Sequence, residues 1–427
     1  MTEDRFDMAV VGAGMVGASL ALAAAQSGWR VAVIEPAAPA EPAANSEPDL
    51  RVSALSTGSE QWLRELGVWH TMTAYPMAPF SALSVWEAPA GPLRRLPGGP
   101  GIARRASTSF EAARLGRSHL GHIVENVITR YALWQHLQDH DYIQCLCPAT
   151  LAQLDQHPEA ALLTLDSGDT VTCGLVVGAD GANSVTRKLA GIGTSRSQYR
   201  QQAMVINVRH KPPQGSMTWQ MFTPDGPRAY LPLPDIGGNS WASLVWYDHP
   251  EKLDELMGLE EPALIRSVRD AFPVELPELL AAPARGRFPI AREHAYRYAS
   301  ARVVLIGDAA HSINPLAGQG VNLGFQDAAC LAQLLREAAD NGSEPGQKAL
   351  LERYETLRRP RNRLMMDVMD LFYTLFSNRQ PPLHLLRTLG LGLAGSLPVA
   401  RDQVARYAMG IDETLPAAVE SWLKRLA

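Results

Sequence analysis

At 427 residues the chain exceeds a usual single domain, so two or more hydrophobic cores are expected. Its 46% hydrophobic and 19% charged content is that of a soluble globular protein, and a net charge of −5 argues against a general affinity for nucleic acid. Cys145, Cys147, Cys173 and Cys330 are the four cysteines; none makes a C-x-x-C pair, which argues against a zinc site or a disulfide framework and points to reduced thiols in a cytoplasmic protein.

The chain opens "MTEDRFD", acidic where a secretory signal is basic, and no window reaches the roughly 18 uncharged apolar residues of a membrane span. Met8 to Val11 then form an apolar run of strand type. Gly12, Gly14 and Gly17 follow as G-x-G-x-x-G, opening an alanine- and leucine-rich stretch of helical composition, and "WRVAVIE" supplies a second strand ending in Glu35. This is the context of a dinucleotide-binding fingerprint. Gly12 permits the tight turn, Gly14 admits a pyrophosphate, and Gly17 lets helix and strand pack closely. The helix N-terminus offers free N–H groups and a positive dipole end to phosphate. Glu35 is expected to accept hydrogen bonds from the adenosine ribose, and an acid there disfavours a 2′-phosphate.

Residues 36–50 form a Pro/Ala-rich connection, and Arg51 follows in "DLRVSALS". "LVVGADGANSVTRKLAG", from Leu175 to Gly191, is a second apolar strand leading into Gly178, Asp180, Gly181, Ser184 and Arg187. The segments "QQAMVINVRH", "SMTWQMFTPDG", "PRAYLPLPD" and "SWASLVWYDHP" are short, β-branched and aromatic, and separated by turn residues, which predicts an antiparallel meander. Trp219, Phe222, Tyr230, Trp241 and Trp246 lie on it; aromatics on strands are more often core than pocket lining. A third strand, "RVVLIGD", leads into "GDAAHSINPLAGQGVNLGFQDA" from Gly307 to Ala328, with a helix expected to begin near Gln319 or Gly320. Beyond Arg361 the pattern is helical, and the apolar stretch "PPLHLLRTLGLGLAGSLPVARDQVARYAMG" reads either as a helical cap or as an amphipathic contact to a membrane surface or partner.

Taken together and in this order, the G-x-G-x-x-G, D-G and G-D motifs resemble the flavoprotein aromatic hydroxylases, the class A flavin monooxygenases, over nearly the whole chain. The resemblance implies an α/β fold: a Rossmann-like FAD-binding domain of glutathione-reductase type, an antiparallel β-sheet substrate domain and a C-terminal helical region. The FAD-binding domain would comprise 1–75, 111–190 and 283–365, the substrate domain 76–110 and 191–282, and the helical region 366–427. Asp308 would bond a ribitol hydroxyl of FAD. Asp180 and Gly181 would lie near the pyrophosphate and aid use of the nicotinamide cofactor, and Arg51 would lie beside the flavin, its bland alternative being a solvated surface arginine. Gly318, Gln319, Gly320, Val321 and Asn322 would meet the pyrimidine edge of the flavin, with Asn322 adding a side-chain donor. Pro315 would border the substrate pocket, for which Trp219 and Tyr230 are further candidates. His311 is expected to be structural or flavin-side, no general base is assigned, and no metal-ligand set stands out. Glu125 and Asn126, in "HIVEN", also fall where relatives approach the cofactor, without an assigned role.

"NPLAGQGVNLGFQDA", "LGHIVEN", "VVGADGANS" and "RVSALS" resemble the ubiquinone-biosynthesis hydroxylases in particular, although Asn314 stands where many members have histidine. "TWQMFTPDGPRAYLPL" and "ASLVWYD" look most like the members acting on 2-polyprenyl-3-methyl-6-methoxy-1,4-benzoquinol; "LGHIVENVI" is equally like those acting earlier, on a polyprenylphenol. The implied chemistry is reduction of FAD by NAD(P)H, capture of O2 as a C4a-hydroperoxide, and hydroxylation of a ring activated by its own hydroxyl. Partners would be a polyprenylated quinol or phenol, O2 and other ubiquinone-synthesis proteins, at a cytoplasmic site peripheral to the inner membrane. The alternatives are another class A hydroxylase of small aromatics, a flavin-binding scaffold of a lipid-synthesis complex, and an NAD dehydrogenase.

Overall fold

The computed structural model describes residues 5–43, 46–88, 107–212, 216–313 and 319–376. Five parallel strands run in the order Val303–Leu305, Thr170–Gly178, Phe6–Val11, Val31–Ile34 and Ile143–Leu146. The central ones are almost wholly buried apolar runs, as strands covered on both faces must be. Helix Met15–Gln26 packs against the helices Asn126–Gln138 and Gln319–Asp340. Its alanines and glycine explain how: residues 17 to 25 are all buried, so it has no wet stripe and small side chains let neighbours close in on every side.

The second sheet has eight strands in the order His311–Ser312, Leu279–Ala295, Thr194–His210, Asn239–Asp248, Arg228–Ile236, Met217–Phe222, Ala82–Glu87 and Thr108–Glu111. The expected meander holds only for the three strands from Met217 to Asp248. Thr194–His210 pairs with Asn239–Asp248 rather than with the strand that follows it, and Met217–Phe222 pairs in parallel with Ala82–Glu87. A small third sheet joins Val52–Ser56, Gly121–Glu125 and Ala78–Phe80.

Two expected boundaries move. Leu279–Ala295 stays hydrogen-bonded to Thr194–His210 along its length, so the division expected at 283 cuts a continuous strand. Likewise the division at 366 falls inside the single helix Lys348–Phe376, which carries Pro360 in its interior. That helix ties the two large sheets together. Near its start Tyr354 Oη donates to Leu305 O (3.1 Å) and Glu355 Oε2 accepts from the Tyr298 and Ala299 amides; near its end Asp367 and Asp370 pair with Arg292 on the antiparallel sheet.

One face of the antiparallel sheet is closed by the helices Pro250–Met257 and Glu261–Ala271, burying Met204, Ile206, Trp219, Tyr230, Leu244 and Trp246 against Leu253, Leu264 and Phe272. The other face looks toward the parallel-sheet half: Leu233 and Trp241 meet Phe80 and Ile123, while Phe222 and Tyr247 share a cluster with Met369 and Tyr373. Among the described residues no helix is long and apolar enough to cross a membrane.

Candidate functional site

Three glycine motifs, far apart in sequence, meet at the carboxyl edge of the parallel sheet. Gly12 N–H donates to Ile34 O (2.8 Å), Ala179 N–H to Val11 O (2.8 Å) and Ile306 N–H to Gly178 O (3.0 Å), so each strand hands its turn to its neighbour. Gly12 has φ +100°, and a Cβ there would stand 2.6 Å from Ala179 O. On Gly17 it would stand 2.0 Å from Gly12 O and 2.8 Å from Ala179 Cβ. These two positions are closed to any side chain because the D-G turn and the helix occupy the space. At Gly14 the opposite holds: nothing lies within 4 Å of an added Cβ, and the residue caps the helix start. An open, uncharged helix N-terminus at the carboxyl edge of a parallel sheet is the geometry that receives a pyrophosphate.

Glu35 closes one side. It is buried, its Oε2 accepts from the Ala13 amide (2.6 Å), and its Oε1 lies 3.8 Å from Arg130. Asp308 closes the other. Its side chain reaches solvent beside the G-D turn, with protein atoms packed around it. That packing raises the carboxyl above the usual carboxylate range, and His311 and Arg51 draw it back down. Arg51 therefore lies within electrostatic reach of Asp308, and among the described residues its guanidinium has no hydrogen-bond or ion-pair partner. The residues present fit FAD: free space at Gly14, an acid at the second strand, and a carboxylate within electrostatic reach of a guanidinium.

The segment bearing Arg51 is clamped. Asn207 Nδ2, from the antiparallel sheet, donates to Pro48 O (2.7 Å) and Asp49 O (3.1 Å). Glu125 Oε2 accepts from the Asp49 amide (2.8 Å), Asn126 N–H donates to Arg51 O (2.9 Å), and Ser53 Oγ donates to Asn126 Oδ1 (2.6 Å). Burial raises the Glu125 carboxyl, and the Asp49 amide opposes that rise. Glu125 and Asn126 thus serve the loop that carries Arg51.

Several side chains are engaged elsewhere than expected. Asp180 spends both oxygens inside its own turn, accepting from Ser184 Oγ on one and from the amide and hydroxyl of Thr186 on the other, so its carboxylate caps the helix Val185–Leu189; Gly181 stands beside it with φ +77°. Asn322 is engaged within the protein. Its Oδ1 accepts from Ser56 N (3.0 Å) and Ser59 Oγ (2.7 Å), and its Nδ2 donates to Ala54 O (2.9 Å), stapling the start of helix Gln319–Asp340 to the strand Val52–Ser56. Trp219 and Tyr230 are corrected as pocket residues. Their rings stack 5.6 Å apart, both are about 3% exposed, and both face the covering helices. The late helix does begin at Gln319, with Gly320 and Val321 half-buried in its first turn. Asn314, Pro315 and Gly318 lie outside the described residues.

Sequence reasoning missed the polar knot beneath the G-D turn. Asp327 is fully buried; its Oδ2 lies 2.5 Å from His311 Nε2 and 3.2 Å from the Gly307 amide, and its Oδ1 accepts from Arg358 Nε (2.7 Å) and Asn362 Nδ2 (2.9 Å). Burial acts to raise its carboxyl, but His311 and Arg358 outweigh that and hold it well below the usual range. Arg187 performs the matching task from the D-G side, donating to Ala309 O (2.8 Å) and pairing with Glu293 on the antiparallel sheet (2.6 Å). His311 is thus a structural partner of Asp327. Asp327 sits inside the quoted motif, but its partners Arg358 and Asn362 follow a helix later, and no local pattern links them.

The model of the FAD binding domain family matches residues 5–369. The chain belongs to this family. FAD is therefore its cofactor. The FAD-binding chain is 42% identical to the 3-demethoxyubiquinol 3-hydroxylase of Escherichia coli K12, over 96% of its own length and 100% of that protein. It is 34% identical to the ubiquinone hydroxylase UbiL of Rhodospirillum rubrum, over 95% and 89% of the two chains. In structure it resembles p-nitrophenol 4-monooxygenase PnpA of Pseudomonas putida, with a TM-score of 0.75 at 17% identity over 97% and 100% of the chains, which shows a common fold.

Proposed function

We propose that the chain is an FAD-dependent monooxygenase of ubiquinone biosynthesis that hydroxylates the ring of a polyprenylated benzoquinol, 2-polyprenyl-3-methyl-6-methoxy-1,4-benzoquinol. The observation carrying this reading is the end-to-end 42% identity to a demethoxyubiquinol hydroxylase, well above the 34% to UbiL. NAD(P)H is the proposed reductant: one ring C–H, O2, NAD(P)H and a proton become C–OH, water and NAD(P)+.

In this reading the pyrophosphate lies at Gly14 and the helix start, and Glu35 meets the adenosine ribose with the oxygen not held by Ala13. Asp308 meets the ribitol chain, and Arg51 stands beside the ring system. The 22-residue helix from Gln319 points its positive end at the flavin's pyrimidine edge through the amides of Gly320 and Val321. Bound and reduced, FAD supplies the activation of O2. The protein's own work is to hold positive charge near the ring, keep water out and place the substrate. The quinol is placed on the face of the antiparallel sheet turned toward the parallel-sheet half, because the opposite face is filled by its two helices. A greasy substrate calls for delivery from a membrane surface or from other ubiquinone-synthesis proteins.

Mass spectrometry of quinone intermediates in cells lacking this protein tests the proposal. Accumulation of 2-polyprenyl-3-methyl-6-methoxy-1,4-benzoquinol is expected. Accumulated polyprenylphenol precursors would move the reaction to an earlier ring carbon, and unchanged quinones would overturn it.

A further inference from the structure

Away from the glycine motifs, three metal-binding side chain types converge where helix Thr57–Glu65 crosses the strand Gly121–Glu125. Glu60 Oε2 lies 2.8 Å from His119 Nε2 and 3.2 Å from His122 Nδ1, and the three atoms all fall within 4.8 Å of one another. The arrangement is braced from outside. Arg64 places both Nε (3.0 Å) and Nη2 (2.7 Å) on Glu60 Oε1, leaving Oε2 to the histidines. Ser118 Oγ lies 2.9 Å from His119 Nδ1, which holds the ring with Nε2 in hydrogen-bond reach of Glu60 Oε2. The edge of Trp69 fixes the His122 ring, with centroids 5.2 Å apart.

His122 Nδ1 is buried and lies 3.2 Å from the same carboxylate oxygen, so both imidazoles converge on Glu60 Oε2. A cation seated among Glu60 Oε2, His119 Nε2 and His122 Nδ1 would satisfy all three atoms at once. Tetrahedral zinc with bonds near 2.0–2.2 Å separates its ligand atoms by roughly 3.3–3.6 Å, so His122 stands close to the required spacing and His119 would withdraw by about half an ångström or more from Glu60. The side chains of Glu60, His119 and His122 are 8%, 25% and 14% exposed, enough for water to reach a fourth position.

We propose that Glu60, His119 and His122 bind a borderline divalent cation, Zn2+ in the first instance, with water as the fourth ligand. Such an ion links the helix to the strand. Since Ser56 and Ser59 at the head of the same helix hold Asn322, the ion braces the wall on which the late helix starts. Its role is structural; the oxygen chemistry proceeds at the flavin without it.

Equilibrium dialysis of metal-stripped, FAD-loaded protein against ZnCl2 tests this. One Zn2+ per chain is expected in the unaltered protein, with affinity weakened at least about 10-fold in His119→Asn and in His122→Asn, each checked for retained flavin absorbance. Equal Zn2+ affinity in both variants, or none in the unaltered chain, overturns the site. Should the variants lose their fold, Co2+ titration of the unaltered protein decides. Intense tetrahedral absorption saturating at one equivalent supports the proposal, and the weak spectrum of hydrated Co2+ alone overturns it.

Discussion

At the carboxyl edge of the parallel sheet the architecture rests on backbone: Gly12 and Gly17 let elements cross closely, while Gly14 and Gly181 leave open space. The antiparallel sheet works through side chains, its two faces carrying different sets of aromatics. The two kinds of surface respond differently to reading. A backbone cradle restricts residue type at fixed spacings, since any Cβ at Gly17 meets Gly12 O at 2.0 Å. A sheet face restricts only alternation, and one residue of register exchanges core for pocket. Trp219 and Phe222 lie on opposite faces of one short strand.

The contrast is broken most severely at Gly17. Gly17→Val should leave no soluble FAD-loaded protein, read from the flavin-to-protein absorbance ratio; a yellow, folded variant would mean that the close crossing can open. Next, Asp327→Asn leaves Arg358 buried without its counter-charge, and Trp219→Ala empties the core beneath the helix pair. Each should cost about 3–5 kcal/mol in denaturant unfolding. They should differ in consequence: the Asp327 variant also loses flavin affinity, while the Trp219 variant, if it folds, keeps the unaltered KM for the quinol. A raised KM there would return Trp219 to the pocket.

A smaller effect sits where the sheets join. His294 pairs across neighbouring strands with His311, and burial, reinforced by His311, Arg359, Arg292 and Arg363, lowers its pKa from 6.5 to about 4. The unfolded chain thus takes up a proton that the folded chain refuses. Stability is unaffected by this group above pH 6.5 and falls as pH drops from 6.5 toward 4, by an amount on the order of 3 kcal/mol. Thermal unfolding across that range should show the loss, and His294→Gln should flatten it.

How much of this was legible follows the same division. The strand–glycine–helix context marks Gly12 to Gly17 and Glu35. Asp180 and Asp308 stand out only through the family resemblance, and the late helix, expected near Gln319 or Gly320, begins at Gln319. Hidden from reading were contacts between residues with no common period: Asn322 with Ser56 and Ser59, Asn207 with the loop before Arg51, Arg187 with Ala309. The H-x-x-H of His119 and His122 also passed unremarked, because the carboxylate facing it lies on a helix much earlier in the chain. Strand order failed for a related reason. Alternation predicts strands but not that Ala82–Glu87 inserts beside Met217–Phe222.

The Asn322 staple joins residues 266 positions apart, which sets a timetable. Translation proceeds at about 5–20 residues per second, so Phe6–Val11 waits on the order of 15–60 s before Val303–Leu305 completes the sheet. Until then one apolar edge of Thr170–Gly178 lacks its neighbour, the sort of exposed strand that invites aggregation. FAD cannot be fully enclosed before the late helix arrives. Once it binds, it stabilises only the finished fold and draws the nascent chain toward it.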